Sequence, residues 1–224
     1  MKNEIKVTSV AKSFGRHRVL RDASFTATSG QCIGILGGNG CGKSTLLSLL
    51  AGIQPADAGS FLFAGNDLFR LEKERRRVVG YVPQGTPLME ELTAKDNLRL
   101  WYTPQAMAHE LEDGVLRLLG VDEFLNVTVS KMSGGMKKRL SIGCAVAKKP
   151  SVLLLDEPMA ALDLACKQRI STYLEQRKRC GDILVLVTHD VMEMQLCDAW
   201  YLLRDGVLRP YDFDGDIERL TASL

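Results

Sequence analysis

The chain has 224 residues, of which 46% are hydrophobic and 25% charged, the balance of an ordinary globular protein with length for a real core and for one domain carrying an inserted subdomain. A formal net charge of +2 argues against a dedicated nucleic-acid binder. The apolar runs in "SVLLLDEP" and "DILVLVTHD" hold at most five residues, where a membrane helix needs roughly twenty, so any membrane role is expected to come through a partner.

The six cysteines, Cys32, Cys41, Cys144, Cys166, Cys180 and Cys197, form no CxxC pair and no Cys/His zinc spacing. They read as reduced thiols of a cytosolic protein. The N-terminus "MKNEIKVTSV" is charged and lacks the apolar stretch of a secretory signal.

In chain order, "EIKVTSV" and "RVLRDASFTATSG" alternate apolar and polar residues and are expected as short antiparallel strands closing on a turn at Ser29 and Gly30. "QCIGIL" is a compact buried strand running into a glycine loop, and "KSTLLSLLAG" has helical spacing with Gly52 as its stop. "GSFLFAGNDL" reads as a hairpin strand and "RVVGYVPQ" as another strand ending at Pro83, while "KERRR" and the later "KQR" are expected on solvated helix faces.

From residue 86 to 149 leucines recur at helical spacing, in "ELTAKDNLRLWY" and "HELEDGVLRLLGV", which marks an inserted helical subdomain. "SVLLLDEP", a helix over 163–179, "DILVLVTHD", a short helix and "AWYLLRDGVLRP" then restore the strand–helix alternation. Such alternation implies a mostly parallel sheet covered by helices. Residues 1–85 and 150–224 are thus expected to form an α/β core with an N-terminal antiparallel part, and 86–149 the helical insertion.

"GGNGCGKST" at 37–45 carries the pattern G-x-x-x-x-G-K-[ST] through Gly37, Gly42, Lys43 and Ser44. Glycines let successive backbone N–H groups line an anion nest, the helix start adds partial positive charge, Lys43 reaches the β- and γ-phosphates and the Ser44 hydroxyl ligates Mg²⁺. A glycine turn with a chance lysine is the bland alternative; the strand before and the helix after argue against it, and the fold expected is a P-loop NTPase core. Asp156 ends an apolar strand, where a carboxylate holds the Mg²⁺ shell. Glu157 beside it suits a general base for an attacking water. Gln84 and His189 also end strands, at the edge where open α/β sheets bind ligands. Guanine recognition is not expected, because "TAKD" places its lysine wrongly for the [NT]KxD pattern. "KMSGGMKKRLSIG" at 131–143 offers a second bare helix start of the anion-binding kind.

With these motifs in order, the chain resembles the nucleotide-binding subunit of an ABC transporter over nearly its whole length: the phosphate loop, Gln84, "MSGGM", "LLLDEP", "ALD" and His189. The resemblance implies that two subunits pack head to tail around two ATP molecules with Mg²⁺. Ser133, Gly134 and Gly135 of one chain would cap the γ-phosphate held by Lys43 of the other. It further implies that Gly38, Asn39, Gly40, Cys41 and Thr45 complete the phosphate loop and that Phe14 stacks on adenine in place of the family's tyrosine. Gln84 would sense Mg²⁺ and water, Asp163 bridge to the partner's loop, and His189 contact the γ-phosphate. Met132 and Met136 replace the leucine and glutamine usual in the signature. The implied setting is the cytoplasmic face of a membrane, with a separate permease subunit and a second ATP-binding chain, identical or related, and no nucleic acid. "ELTAKDNLRLWY" resembles exporter-type subunits. The chromosome and repair relatives carry a long coiled coil, whereas Ser133 follows Gln84 by only 49 positions. A cofactor-assembly ATPase of the same family fits the single domain as well. The tail "DGVLRPYDFDGDIERL" resembles the family's final hairpin and following helix, and "DFDGD" reads as a solvated turn.

Overall fold

Residues 3–213 are described by a computed structural model. β1 (Glu4–Phe14) and β2 (His17–Thr28) pair antiparallel around a tight turn, with Phe14 opposite His17. Both strands are longer than the alternation suggested. β1 continues past Val10 because irregular steps in its pairing, with Ser9 at φ +47°, absorb the break in pattern.

β3 (Cys32–Leu36) leads into the glycine loop and α1 (Lys43–Ala51), which stops on Gly52 in the left-handed conformation. β4 (Ala58–Phe63) and β5 (Asn66–Asp67) form the expected hairpin. α2 (Glu72–Val78) follows, stabilised on its exposed face by Arg76–Glu72 and Arg77–Glu74 pairs. The helix runs through Val78, so β6 (Val79–Val82) is shorter than the expected strand and stops before Pro83.

Helices and turns fill the next stretch: α3 (Ala94–Arg99), α4 (Pro104–Glu112), α5 (Val115–Leu118) and two 3-10 turns, with α6 (Gly134–Ala145) closing it. β7 (Val152–Asp156), α7 (Leu164–Arg179), β8 (Ile183–Val187), α8 (Val191–Met194), β9 (Ala199–Arg204) and β10 (Val207–Tyr211) complete the described chain. The helix expected after β10 and most of the "DFDGD" turn lie outside the described residues. Among those residues no helix is long and apolar enough to cross a membrane.

The ten strands form one sheet in the order β5-β4-β1-β2-β10-β9-β3-β8-β7-β6. The β9-β3-β8-β7-β6 portion is parallel, and β1, β2, β4 and β5 form the antiparallel part. Strand periodicity divides the core between the two faces. Val152 and Leu154 of β7 join Ile183 and Val185 of β8 under the leucines of α1, while Leu153, Leu155, Leu184 and Leu186 join Leu140 of α6 and Ile170 of α7. Because β3, β8, β7 and β6 run parallel and in step, with Val82 beside Leu155 and Asp156 beside Val187, the four segments leaving them emerge along one edge.

Candidate functional site

The loop leaving β3 turns on glycines at positive φ, with Gly37 at +156° and Gly42 at +110°. A Cβ on Gly37 would stand 2.6 Å from both the Cys41 Sγ and the Leu203 carbonyl oxygen, and one on Gly42 2.8 Å from Val19. Neither position admits a side chain without rearrangement. Lys43 is 7% exposed and its ammonium donates to the carbonyls of Gly37 (2.6 Å) and Gly38 (3.0 Å). The cation is therefore held within the loop it belongs to. Asn39, Gly40, Gly42, Lys43, Ser44 and Thr45 line a cleft of about 390 Å³ together with Gln84 and Glu157, within the size range of small-molecule sites.

Asp156, at the end of β7, is 2% exposed. Burial raises its carboxyl above the usual range and the neighbouring Glu157 charge adds to that, while the hydrogen-bonded Ser44 hydroxyl, Lys43 and Lys138 pull it down. Glu157 takes φ +46°, a left-handed conformation that costs a non-glycine residue roughly 1–2 kcal/mol. Its amide donates to the Val187 carbonyl at 2.9 Å, which holds the strained residue in place. Its carboxylate accepts from Gln84 Nε2 at 2.9 Å.

Glu157 also borders a second cleft of about 220 Å³, lined by Ala160, Thr188, His189, Asp190 and Glu193. Burial and the Lys43 charge hold the His189 imidazole below its ordinary value, against the opposing pull of Glu157. The phosphate loop, Gln84, Asp156, Glu157 and His189 thus converge on adjoining space.

Phe14, residues 133–135 and Asp163 line neither cleft. Phe14 is 47% exposed at the β1–β2 turn, with the Lys12 ammonium 5.5 Å from its ring centroid. Ser133 caps α6 by accepting from the Met136 amide at 3.2 Å, and Asp163 caps α7 by accepting from the Cys166 amide at 2.8 Å. The two signature glycines differ. Gly134 has open space where a side chain would stand, whereas a Cβ on Gly135 would lie 2.6 Å from the Cys166 Sγ. A side chain at Gly135 would have to displace the Cys166 thiol of α7.

Against this geometry, residues 20–160 match the sequence pattern of the ABC transporter family. The chain belongs to that family. It is 36% identical to the Nod factor export ATP-binding protein I of Sinorhizobium fredii, over 90% of this chain and 60% of that protein. It is 34% identical to the spermidine/putrescine import ATP-binding protein PotA of Aggregatibacter actinomycetemcomitans, over 90% of this chain and 56% of that protein. This chain thus spans little more than half the length of these relatives. Import and export proteins of the family thus match alike, and the exporter-type resemblance holds only at the level of the ABC transporter family as a whole. Among solved structures, a dimeric post-hydrolysis ATP-binding cassette bound to ADP and Pi superposes with a TM-score of 0.80 at 26% identity, covering 95% of this chain and 100% of that one. The α/β core, antiparallel part and largely parallel sheet are those of the ABC ATPase fold.

This ABC chain also buries two ionisable groups behind the cleft that the sequence reading passed over. Lys138 of α6 is 5% exposed and donates to the carbonyls of Pro83 (3.0 Å) and Gln84 (2.8 Å). Burial lowers its pKa, while Asp156, Glu193 and Glu157 act in the opposite direction. Glu193 of α8 is fully buried and accepts from the Met159 amide at 2.5 Å. Burial pushes its carboxyl up to about 7, against the Thr188 hydroxyl and the Met159 amide. The available signal for Lys138 was its spacing, three residues after Gly135 and four before Ile142, which places it on the buried face of the helix.

The donor set also fits Mg²⁺. The buried Asp156 carboxylate, bonded to the Ser44 hydroxyl beside the glycine loop, offers the hard oxygens that this ion takes.

Proposed function

We propose that this chain is the ATP-hydrolysing subunit of an ABC transporter, pairing with a second ATP-binding chain around two ATP molecules and driving a separate membrane subunit. The observation that carries the reading is the 2.9 Å bond between Gln84 and Glu157 at the mouth of the phosphate-loop cleft. It sets a carboxylate and an amide beside the position where the loop presents a γ-phosphate.

In this reading the backbone N–H groups of 37–42 and the ammonium of Lys43 bind the phosphates. Ser44, Asp156 and Gln84 would hold Mg²⁺, which would supply neutralisation of the phosphate charge. Glu157 takes the proton of the attacking water, Gln84 orients that water, and His189 contacts the γ-phosphate. Phe14 offers an exposed aromatic face to adenine. Ser133, Gly134 and Gly135 act on the partner's nucleotide, and Asp163 meets the partner's loop. The exposure of Gly134 and the capped start of α6 support that role.

The membrane subunit is read as docking on the segment following Gln84, where Met89, Leu100 and Trp101 are each more than half exposed. This arrangement puts the chain on the cytoplasmic face of a membrane. Export is the direction supported by the resemblance of "ELTAKDNLRLWY" to exporter subunits and by the export function in the name of the Sinorhizobium relative.

The deciding experiment is the solution mass of Glu157→Gln with and without Mg-ATP, beside wild-type ATPase turnover. An ATP-dependent dimer with a hydrolysing wild type upholds the reading. A chain that binds no ATP, or that hydrolyses it unchanged without Glu157, removes it.

A further inference from the structure

Helix α6 has two different attachments on adjacent residues. Successive residues of a helix point about 100° apart. Lys138 therefore reaches the turn after β6, while Arg139 reaches the helical stretch, donating to the carbonyls of Leu119 (2.8 Å) and Gly120 (3.3 Å) with its guanidinium 4.9 Å from the Phe124 ring centroid. Arg139 is 7% exposed. The helix start at Ser133 stands five residues before Lys138, about 7.5 Å along the axis.

Lys138 bonds the carbonyls of two successive residues of the turn, Pro83 at 3.0 Å and Gln84 at 2.8 Å, and the second of these holds Glu157 through its side chain, Gln84 Nε2 to Glu157 Oε2 at 2.9 Å. These contacts form a continuous chain from the signature helix to the general base.

We propose that Lys138 is a positioning residue that couples the two halves of the composite site. It ties the Gln84 turn to α6, so that seating of residues 133–135 against the partner's nucleotide sets Gln84 and, through it, Glu157 for attack. The inference rests on the two-chain reading above. One rigid element then reads the partner's phosphate at its start and reports to its own catalytic water at Lys138, and Arg139 moves the helical stretch with it. The two sites fire cooperatively as a result.

The test is steady-state ATPase of the full chain carrying Lys138→Met, Lys138→Arg or Gln84→Ala, and the Met and Ala changes combined. Lys138→Met is expected to lower kcat about 10- to 100-fold, to leave the KM for ATP within about threefold, and to reduce a wild-type Hill coefficient above 1 to about 1. Lys138→Arg is expected to recover at least about half the turnover, and Gln84→Ala to cost little more once Lys138 is gone, because residues acting through one another are not additive. A cooperative wild type whose Lys138→Met variant keeps both kcat and Hill coefficient overturns the inference alone, as does a double variant whose losses multiply. A wild type with a Hill coefficient of about 1 and no ATP-driven dimer of Glu157→Gln overturns the two-chain reading and this inference with it. Should circular dichroism show that Lys138→Met does not fold, Lys138→Ala, which removes the donors and leaves room for water at the two carbonyls, takes its place under the same criteria.

Discussion

Gln84 and Glu157 lie on adjacent strand ends and meet through a 2.9 Å hydrogen bond from amide nitrogen to carboxylate oxygen. Val82 pairs with Leu155 across β6 and β7, so each residue sits two positions beyond a paired neighbour. Two parallel strands in step are enough to bring them together. The bond holds the carboxylate at one side of the phosphate-loop cleft in a chain whose backbone is already strained at Glu157.

Removing the proton-accepting capacity of Glu157 while keeping its shape isolates its chemical role. Glu157→Gln is expected to lower ATP turnover ~10²–10⁴-fold with ATP binding intact. Turnover measured beside binding of a fluorescent ATP analogue checks this, and equal loss of both would point to a structural role.

Glu193 makes stability depend on pH. Its carboxyl titrates at about 7 in the folded chain and near 4.5 when unfolded. Between those values the folded chain holds a proton that the unfolded chain has lost, so the group's contribution to stability falls as pH rises from 4.5 through 7 and is most unfavourable above that range. The shift corresponds to about 3 kcal/mol at most. Urea denaturation of wild type and Glu193→Gln at pH 5 and pH 8.5 is expected to show the variant gaining about 2–3 kcal/mol relative to wild type at the higher pH. An unchanged difference between the two pH values would remove Glu193 as the cause.

The two signature glycines are expected to separate in stability. Gly135→Ala forces a Cβ against the Cys166 Sγ, 2.6 Å away, whereas Gly134→Ala meets open space. Overpacking typically costs about 1–3 kcal/mol, offset here by the roughly 1 kcal/mol gained from alanine's helix propensity. Thermal melting should place Gly134→Ala at or above wild type and Gly135→Ala below it. Adding Cys166→Ala should restore part of the loss in Gly135→Ala.

Cys41 lies within the phosphate loop, its sulfur packed against Gly37. A group added to that sulfur has to displace the loop or occupy the cleft. Alkylation is expected to abolish ATP binding in wild type and to leave Cys41→Ala unaffected, with mass spectrometry confirming the labelled position. Full ATP binding after complete labelling at Cys41 would refute this.

Much of the site was legible in the sequence because its chemistry is local. The glycine spacing at 37–42, the stop at Gly52, the helix starts near 133 and 163 and the polar residues ending apolar strands each depend on a few neighbours along the chain. Backbone sterics and strand periodicity act at that range. Tertiary structure decided what depends on residues far apart in sequence. It turned Lys138 inward while Lys137 stayed nearer the surface, paired to Glu90. It buried Glu193 under the loop after β7, set Gly135 against Cys166, and delayed the start of the expected strand by carrying α2 through Val78. Helical spacing marked the buried face of α6 on which Lys138 lies, but not which carbonyls it would find there, those of Pro83 and Gln84. That choice is made when α6 packs between the turn after β6 and the helical stretch, and a buried charge is tolerated only where that packing supplies its partners.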